Sequence, residues 1–232
     1  MGSEMCIRDS SESIVAMSWS SINWLALSVS FKLALVSTIL LLLISIPLAW
    51  WLATTRSRLR VPLMSIVAVP LVLPPTVIGF YLLLALAPGG FIGKLTNAIG
   101  LEQLAFRFPG LVLGSLVYSL PFVVQPIYQA FQSIDAKYLE VASTLRAGPV
   151  DRFFSIILPI SKPGIIIAAV LGFAHTLGEF GVVLMIGGSI PGETKTASIQ
   201  IYEYVELFEY GQAHSLSSVS YTHLTLPTIY SV

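Results

Sequence analysis

Two stretches of 27 residues, Val61–Ala87 and Phe108–Ile134, contain no charged side chain. A membrane-spanning helix needs about 20 apolar residues, so each run is long enough to cross a bilayer. Two further runs qualify. Leu33–Ala53 is 21 residues without a charge, with Lys32 placed to snorkel at its end, and Pro163–Gly188 is 26 residues broken only by His175 and Glu179. Composition argues against a large soluble apolar domain. Only 10% of the 232 residues are charged and mean hydropathy is +0.84, whereas an ordinary soluble domain is about 25% charged. The expected class is an all-α polytopic membrane protein.

Net charge is zero, so nothing in the balance points to nucleic acid as a partner. The single Cys6 excludes an internal disulfide and leaves no basis for a cysteine metal site; no metal ligands are assigned. The first long apolar run starts near Trp24 and exceeds a signal-peptide core in length.

The connections set an expected orientation. Arg56, Arg58 and Arg60 lie in the first, and Lys137, Arg146, Arg152 and Lys162 in the third. The other side has Lys94, Arg107 and Lys195. Lys and Arg concentrate on the cytoplasmic side. The first and third connections are therefore expected in the cytoplasm, with the N-terminal tail 1–23 outside. Prolines punctuate the spans: Pro70, Pro74 and Pro75 in the second, Pro121 and Pro126 in the third. Each removes a backbone hydrogen bond that lipid cannot replace, so these bends are expected to face other helices or a watery path.

The third connection, 134–162, is patterned. Ile134–Leu145 reads as an amphipathic helix, apolar at Tyr138, Val141, Ala142 and Leu145 and charged at Asp135, Lys137 and Glu140. Gly148-Pro149 punctuates it, Pro149 opens a second short helix, and Leu158-Pro159 is expected to end that helix before the fourth span. At these residues the chain resembles the permease subunits of bacterial ABC importers, with Glu140, Val141 and Ala142, then Gly148, then Ile156 to Pro159. The resemblance implies a type I, MetI-like helix bundle whose cytoplasmic loop fits a cleft on a separate ABC ATPase subunit. Glu140, Ala142, Gly148, Leu158 and Pro159 are its expected coupling residues. Gly148 is expected to give the turn where a side chain would clash. ATP and Mg would be used by that partner, with no cofactor bound by this chain. "GGFIGKL" at Gly89–Leu95 does not make this chain an ATPase, because a phosphate loop needs Gly where Pro88 stands and Ser or Thr where Leu95 stands.

The stretch Phe173–Glu206, above all "MIGGSIPGETKTASIQIY" at Met185–Tyr202, closely resembles molybdate permeases of the ABC importers, as does Leu73–Gly93. "GEFG" at Gly178–Gly181 is shared with sulfate permeases. The resemblance covers Trp24–His214. It implies a homodimer, a periplasmic or extracellular molybdate-binding protein, import of molybdate or tungstate, and one more span beyond about Ser215. "MCIRDS" at Met5–Ser10 and "SYTHLTLPTIYSV" at Ser220–Val232 resemble translated adapter tails, so 1–10 and 215–232 are expected to be foreign. A sulfate or thiosulfate permease and a proton-coupled carrier using His175 and Glu179 are the rival readings.

An oxyanion path needs hydroxyls and amides rather than a fixed strong cation. Thr76, Ser115, Ser119, Gln125 and Thr176 are candidates for it. Glu179 is the one acid inside a span; a carboxylate repels an oxyanion, so it is expected to hold the outer gate or to bond the Gly178/Gly181 bend, with His175 four residues before it placed to pair with it on one helix face.

Overall fold

The structure is a computed structural model that describes residues 24–55, 57–98, 100 and 102–229. The expected N-terminal tail 1–23 lies outside them. The described residues are helical, with no strand among them.

Helix α1, Trp24–Thr54, is apolar on every side. Its buried residues are mostly small: Ala26, Ser30 and Ala34 recur every fourth position, then Leu41, Ser45 and Ala49. Leu35, Ile39 and Leu43 point outward. This inverts the pattern of a soluble protein. Lipid is as apolar as leucine, so membrane helices associate by close backbone approach over small residues. Ser45 is fully buried, and overpacking such a site costs about 1–3 kcal/mol. Ser45→Leu is therefore expected to lower the melting temperature of the detergent-solubilised protein. Leu43→Ala, on the outward stripe, should shift it much less, and equal shifts would contradict this assignment of faces.

Helices α2 (Arg60–Val72) and α3 (Pro75–Leu86) occupy the expected span 61–87. They are two helices, not one. Leu73 is extended, at φ −78° and ψ 138°, because a residue before proline is pushed out of the helical region. The next connection, expected as a loop, holds a short helix α4, Phe91–Ala98.

Helix α5, Phe108–Gln132, runs unbroken through Pro121 and Pro126 and is the centre of the bundle. It packs against α1, α2, α3, α8 (Lys162–Gly178) and α9 (Gly181–Gly187). Its crossing with α8 is tight. A Cβ on Gly164 would stand 2.4 Å from Ala130 Cβ, and one on Gly172 would stand 2.6 Å from Val123 Cγ2.

The expected fourth span, 163–188, is broken. α8 ends at Gly178, Glu179 is extended at φ −66° and ψ 132°, and α9 starts at Gly181. The break carries no proline. Gly181 lies where a Cβ would meet Pro75 Cβ at 2.8 Å, so the break in this span sits against the start of α3 after its own break. The two breaks thus lie against each other. Three stretches are long and apolar enough to cross a membrane among the described residues, Trp24–Thr54, Pro75–Ala98 and Phe108–Gln132; Pro149–Ile160 with Lys162–Gly178, bent by 70°, would make a fourth.

Helices α6 (Ala136–Thr144) and α7 (Pro149–Ile160) form one end of the bundle. At the other end, α10 (Ala197–Glu206) packs on α11 (Tyr210–Ile229). The segment expected to be a foreign tail is thus helical as far as Ile229.

Candidate functional site

The loop between α5 and α8 departs from its expected form in three ways. First, the left-handed turn is not at Gly148. Arg146 takes it, at φ 56°, and the Ala147 N–H donates to the Ala142 carbonyl at 3.0 Å, the wide hydrogen bond that closes a helix C-terminus. Gly148 is extended, at φ −68° and ψ 165°, caps the start of α7, and has nothing within 4 Å of where a Cβ would stand. Secondly, of the apolar positions Tyr138, Val141, Ala142 and Leu145, the bundle covers Ala142 alone. The other three are exposed, and Glu140 is exposed beside them. Thirdly, Leu158-Pro159 does not stop the helix. α7 runs on to Ile160 and the chain bends at Ser161.

Sequence reasoning missed what ties this loop to the bundle. α7 contains a π-turn, Phe153–Ile157, in which the Leu158 N–H reaches back five residues to the Phe153 carbonyl. Ile157 is buried, whereas Leu158 is half-buried and Pro159 exposed. The Phe153 ring sits 5.6 Å from Trp50 of α1 and 6.3 Å from Phe131 of α5, and Trp50 and Phe131 are 5.7 Å apart. Such ring pairs each contribute about 0.5–1.5 kcal/mol beyond burial. Nearby, Arg60 donates to the Tyr128 hydroxyl and lies over its ring, fastening the start of α2 to α5.

Within the spans, the structure gathers five polar residues of α5, α8 and the break after α8. Ser115 Oγ donates to Glu179 Oε2 at 3.0 Å. Ser119 Oγ lies 2.9 Å from His175 Nδ1 and 3.1 Å from Thr176 Oγ1. His175 stacks on Phe122, with centroids 3.8 Å apart. Ser115, Ser119, Thr176 and Glu179 are buried, and Glu179 Oε1 has no hydrogen-bond partner among the described residues. The expected His175–Glu179 pair is not formed. The helix ends at Gly178, so the four-residue spacing no longer puts the two side chains on one face, and each bonds α5 instead. Thr76 is exposed, its backbone N–H beside Gly181, and Gln125 is half-buried two turns along α5 from Ser119. Neither takes part in the hydrogen bonds of this cluster.

Residues 185–202 are tied together and to α1 by hydrogen bonds. Thr194 is buried, and its Oγ1 donates to the Gly187 carbonyl at 2.7 Å and accepts from the Ile190 N–H at 3.1 Å. Lys195 Nζ donates to Glu203 Oε2 at 2.6 Å, Ser189 donates to Oε1, and the Ala197 N–H donates to Ser30 of α1 at 2.7 Å. Burial raises the Glu203 carboxyl, but the bonds from Lys195 and Ser189 outweigh it and hold the group below the ordinary carboxylate range.

Comparison with known proteins assigns a family to this arrangement of helices. Residues 42–229 match the family described as "Binding-protein-dependent transport system inner membrane component". The chain belongs to this family. It is 56% identical over 208 residues to the molybdenum transport system permease protein ModB of Azotobacter vinelandii, covering 89% of this chain and 92% of that one. With ModB of Escherichia coli K12 it shares 38% over 185 residues, covering 79% of this chain and 80% of that one. With the sulfate transport system permease protein CysT of Salmonella typhimurium it shares 29% over 194 residues, 84% and 70% of the two chains. The fold is similar to that of a bacterial alginate ABC transporter, at a TM-score of 0.75 and 19% identity over 89% of this chain and 76% of that one. It is also similar to the MetNI methionine ABC transporter, at 0.71 and 16% over 93% and 96%. The all-α, MetI-like permease architecture is therefore the observed one, and the protein is a multi-pass inner-membrane transport component.

Proposed function

We propose that this permease is the membrane subunit of an ATP-driven importer for molybdate, with tungstate as an alternative cargo. The observation that carries the cargo is the 56% identity with the Azotobacter vinelandii molybdenum permease across nearly its whole length. Two copies line one path. A cytoplasmic ABC ATPase pair docks on α6 and α7, and an extracytoplasmic binding protein delivers the oxyanion at the opposite end, with the N-terminus outside. The exposed Tyr138 and Val141 of α6 and Leu145 just after it support the docking, because a helix that turns apolar side chains outward beyond the spans needs a partner to cover them. This chain performs no bond chemistry. It exposes its path alternately to the two sides as the partner binds and hydrolyses ATP, which lies within the repertoire of rigid-body switching between packed states.

The test is uptake of labelled molybdate into cells or vesicles holding the permease, its ATPase and its binding protein. Competition by unlabelled molybdate or tungstate but not sulfate is expected. Competition by sulfate at equal concentration would assign the sulfate reading instead, and uptake that survives removal of the ATPase would overturn an ATP-driven mechanism.

A further inference from the structure

We infer that the ring cluster Trp50–Phe131–Phe153 is the point through which motion of the α6–α7 loop enters the spans, Phe153 acting as a positioning residue for transport. This rests on the docking role proposed above for the loop.

The loop meets the bundle through a narrow set of side chains. Of α6, Ala142 is buried and Leu139 half-buried; of α7, Ile157 is buried and Phe153 half-buried, while Phe154, Val150 and Pro159 are exposed. Phe153 touches α1 and α5 at once, through Trp50 and Phe131. Those two helices pack along much of their length and are joined to α8. Displacing Phe153 therefore moves two spans together.

The lever itself is braced. Arg152 Nε donates to the Ala147 carbonyl at 2.7 Å, and Ser155 Oγ donates to Asp151 at 2.8 Å. Its two ends are the places where the chain changes direction, the left-handed Arg146 and the bend of 70° at Ser161. Between them the π-turn spans Phe153 to Ile157, the two residues of α7 that enter the core. Such turns break the regular helical ladder and recur at functional sites. A braced element with a hinge at each end and one aromatic foot in the core has the form of a lever. Packed rings suit the foot, because close-packed interiors transmit displacement where a gap would absorb it.

The test uses the whole complex in liposomes, with labelled molybdate uptake and ATP hydrolysis measured together. Phe153→Leu removes the ring but keeps an apolar side chain. It is expected to leave the ATPase bound and hydrolysing while uptake per ATP falls at least about fivefold. Phe153→Tyr should restore the ratio, and Trp50→Leu should lower it with no further loss in the double variant, since the two act as one unit. A wild-type ratio in both leucine variants overturns the inference. So does loss of the bound ATPase, which would make Phe153 part of docking, or loss of the protein from the membrane in both, which would make the cluster structural. If the wild-type complex takes up no molybdate, the cargo proposal fails. The lever then stands or falls by the same ratios measured with sulfate, and if neither anion moves it falls too.

Discussion

Gly148→Asp is expected to cut uptake by more than tenfold while the amount of permease in the membrane stays within about twofold of the wild type. The reasoning separates this chain from its partner. Within the chain, Gly148 needs no special freedom, because φ is −68° and a Cβ would meet nothing within 4 Å. The position is also the N-cap of α7, where Asp is among the preferred residues. The substitution should therefore leave the loop folded, and thermal stability should hold or rise slightly. The space left beside this N-cap glycine would let another surface approach closely, as the docking proposed above requires. Placing a carboxylate at a desolvated protein contact costs several kcal/mol, and each 1.4 kcal/mol is about tenfold. Co-purification of the ATPase with the variant checks the cause. Normal uptake would mean that no partner covers Gly148. Loss of the protein itself would mean that Gly148 has a role within the fold after all.

The same residue shows what was legible in the sequence. The two-helix form of the loop between α5 and α8 is recognisable from its residues and spacing, but the turn expected at its glycine is not there, because the left-handed residue is Arg146, a type with no preference for that conformation. The spans were legible because charge is excluded over lengths of about 20 residues, a requirement that acts on the sequence directly. The break before α3 was foreshadowed by Pro74-Pro75. The break at Glu179 was not, because it has no proline, only Gly178 and Gly181 at its edges, and it is held by packing against Pro75. The same break undoes the expected His175–Glu179 pair, since four-residue spacing carries meaning only on a continuous helix. Trp50, Phe131 and Phe153 lie far apart in sequence. Their meeting follows from the crossing of α1 with α5 and from a π-turn that no pattern announces.

Glu179→Gln is expected to slow or uncouple uptake by about tenfold or more while protein level and melting temperature hold or rise. Glu179 is buried at the break between α8 and α9, with one oxygen on Ser115 and the other without a partner among the described residues. A buried polar atom left unpaired costs about 1–3 kcal/mol, more for a charged group. A protein selected only for stability would not keep such a group there, and ionisable side chains inside membrane spans are functional by default. Gln keeps the acceptor for Ser115 and nearly the same shape, and it cannot ionise or give up a proton, so a purely structural Glu179 would be served as well or better by it. The place of the residue explains why transport should suffer. It joins the end of α8 to α5 where the break after α8 packs against the start of α3, so a movement of these helices against one another would act on it. Melting temperature and uptake measured on the same preparation decide the matter. Parallel loss of both would make Glu179 a packing residue, and unchanged uptake would mean that the gate does not use it.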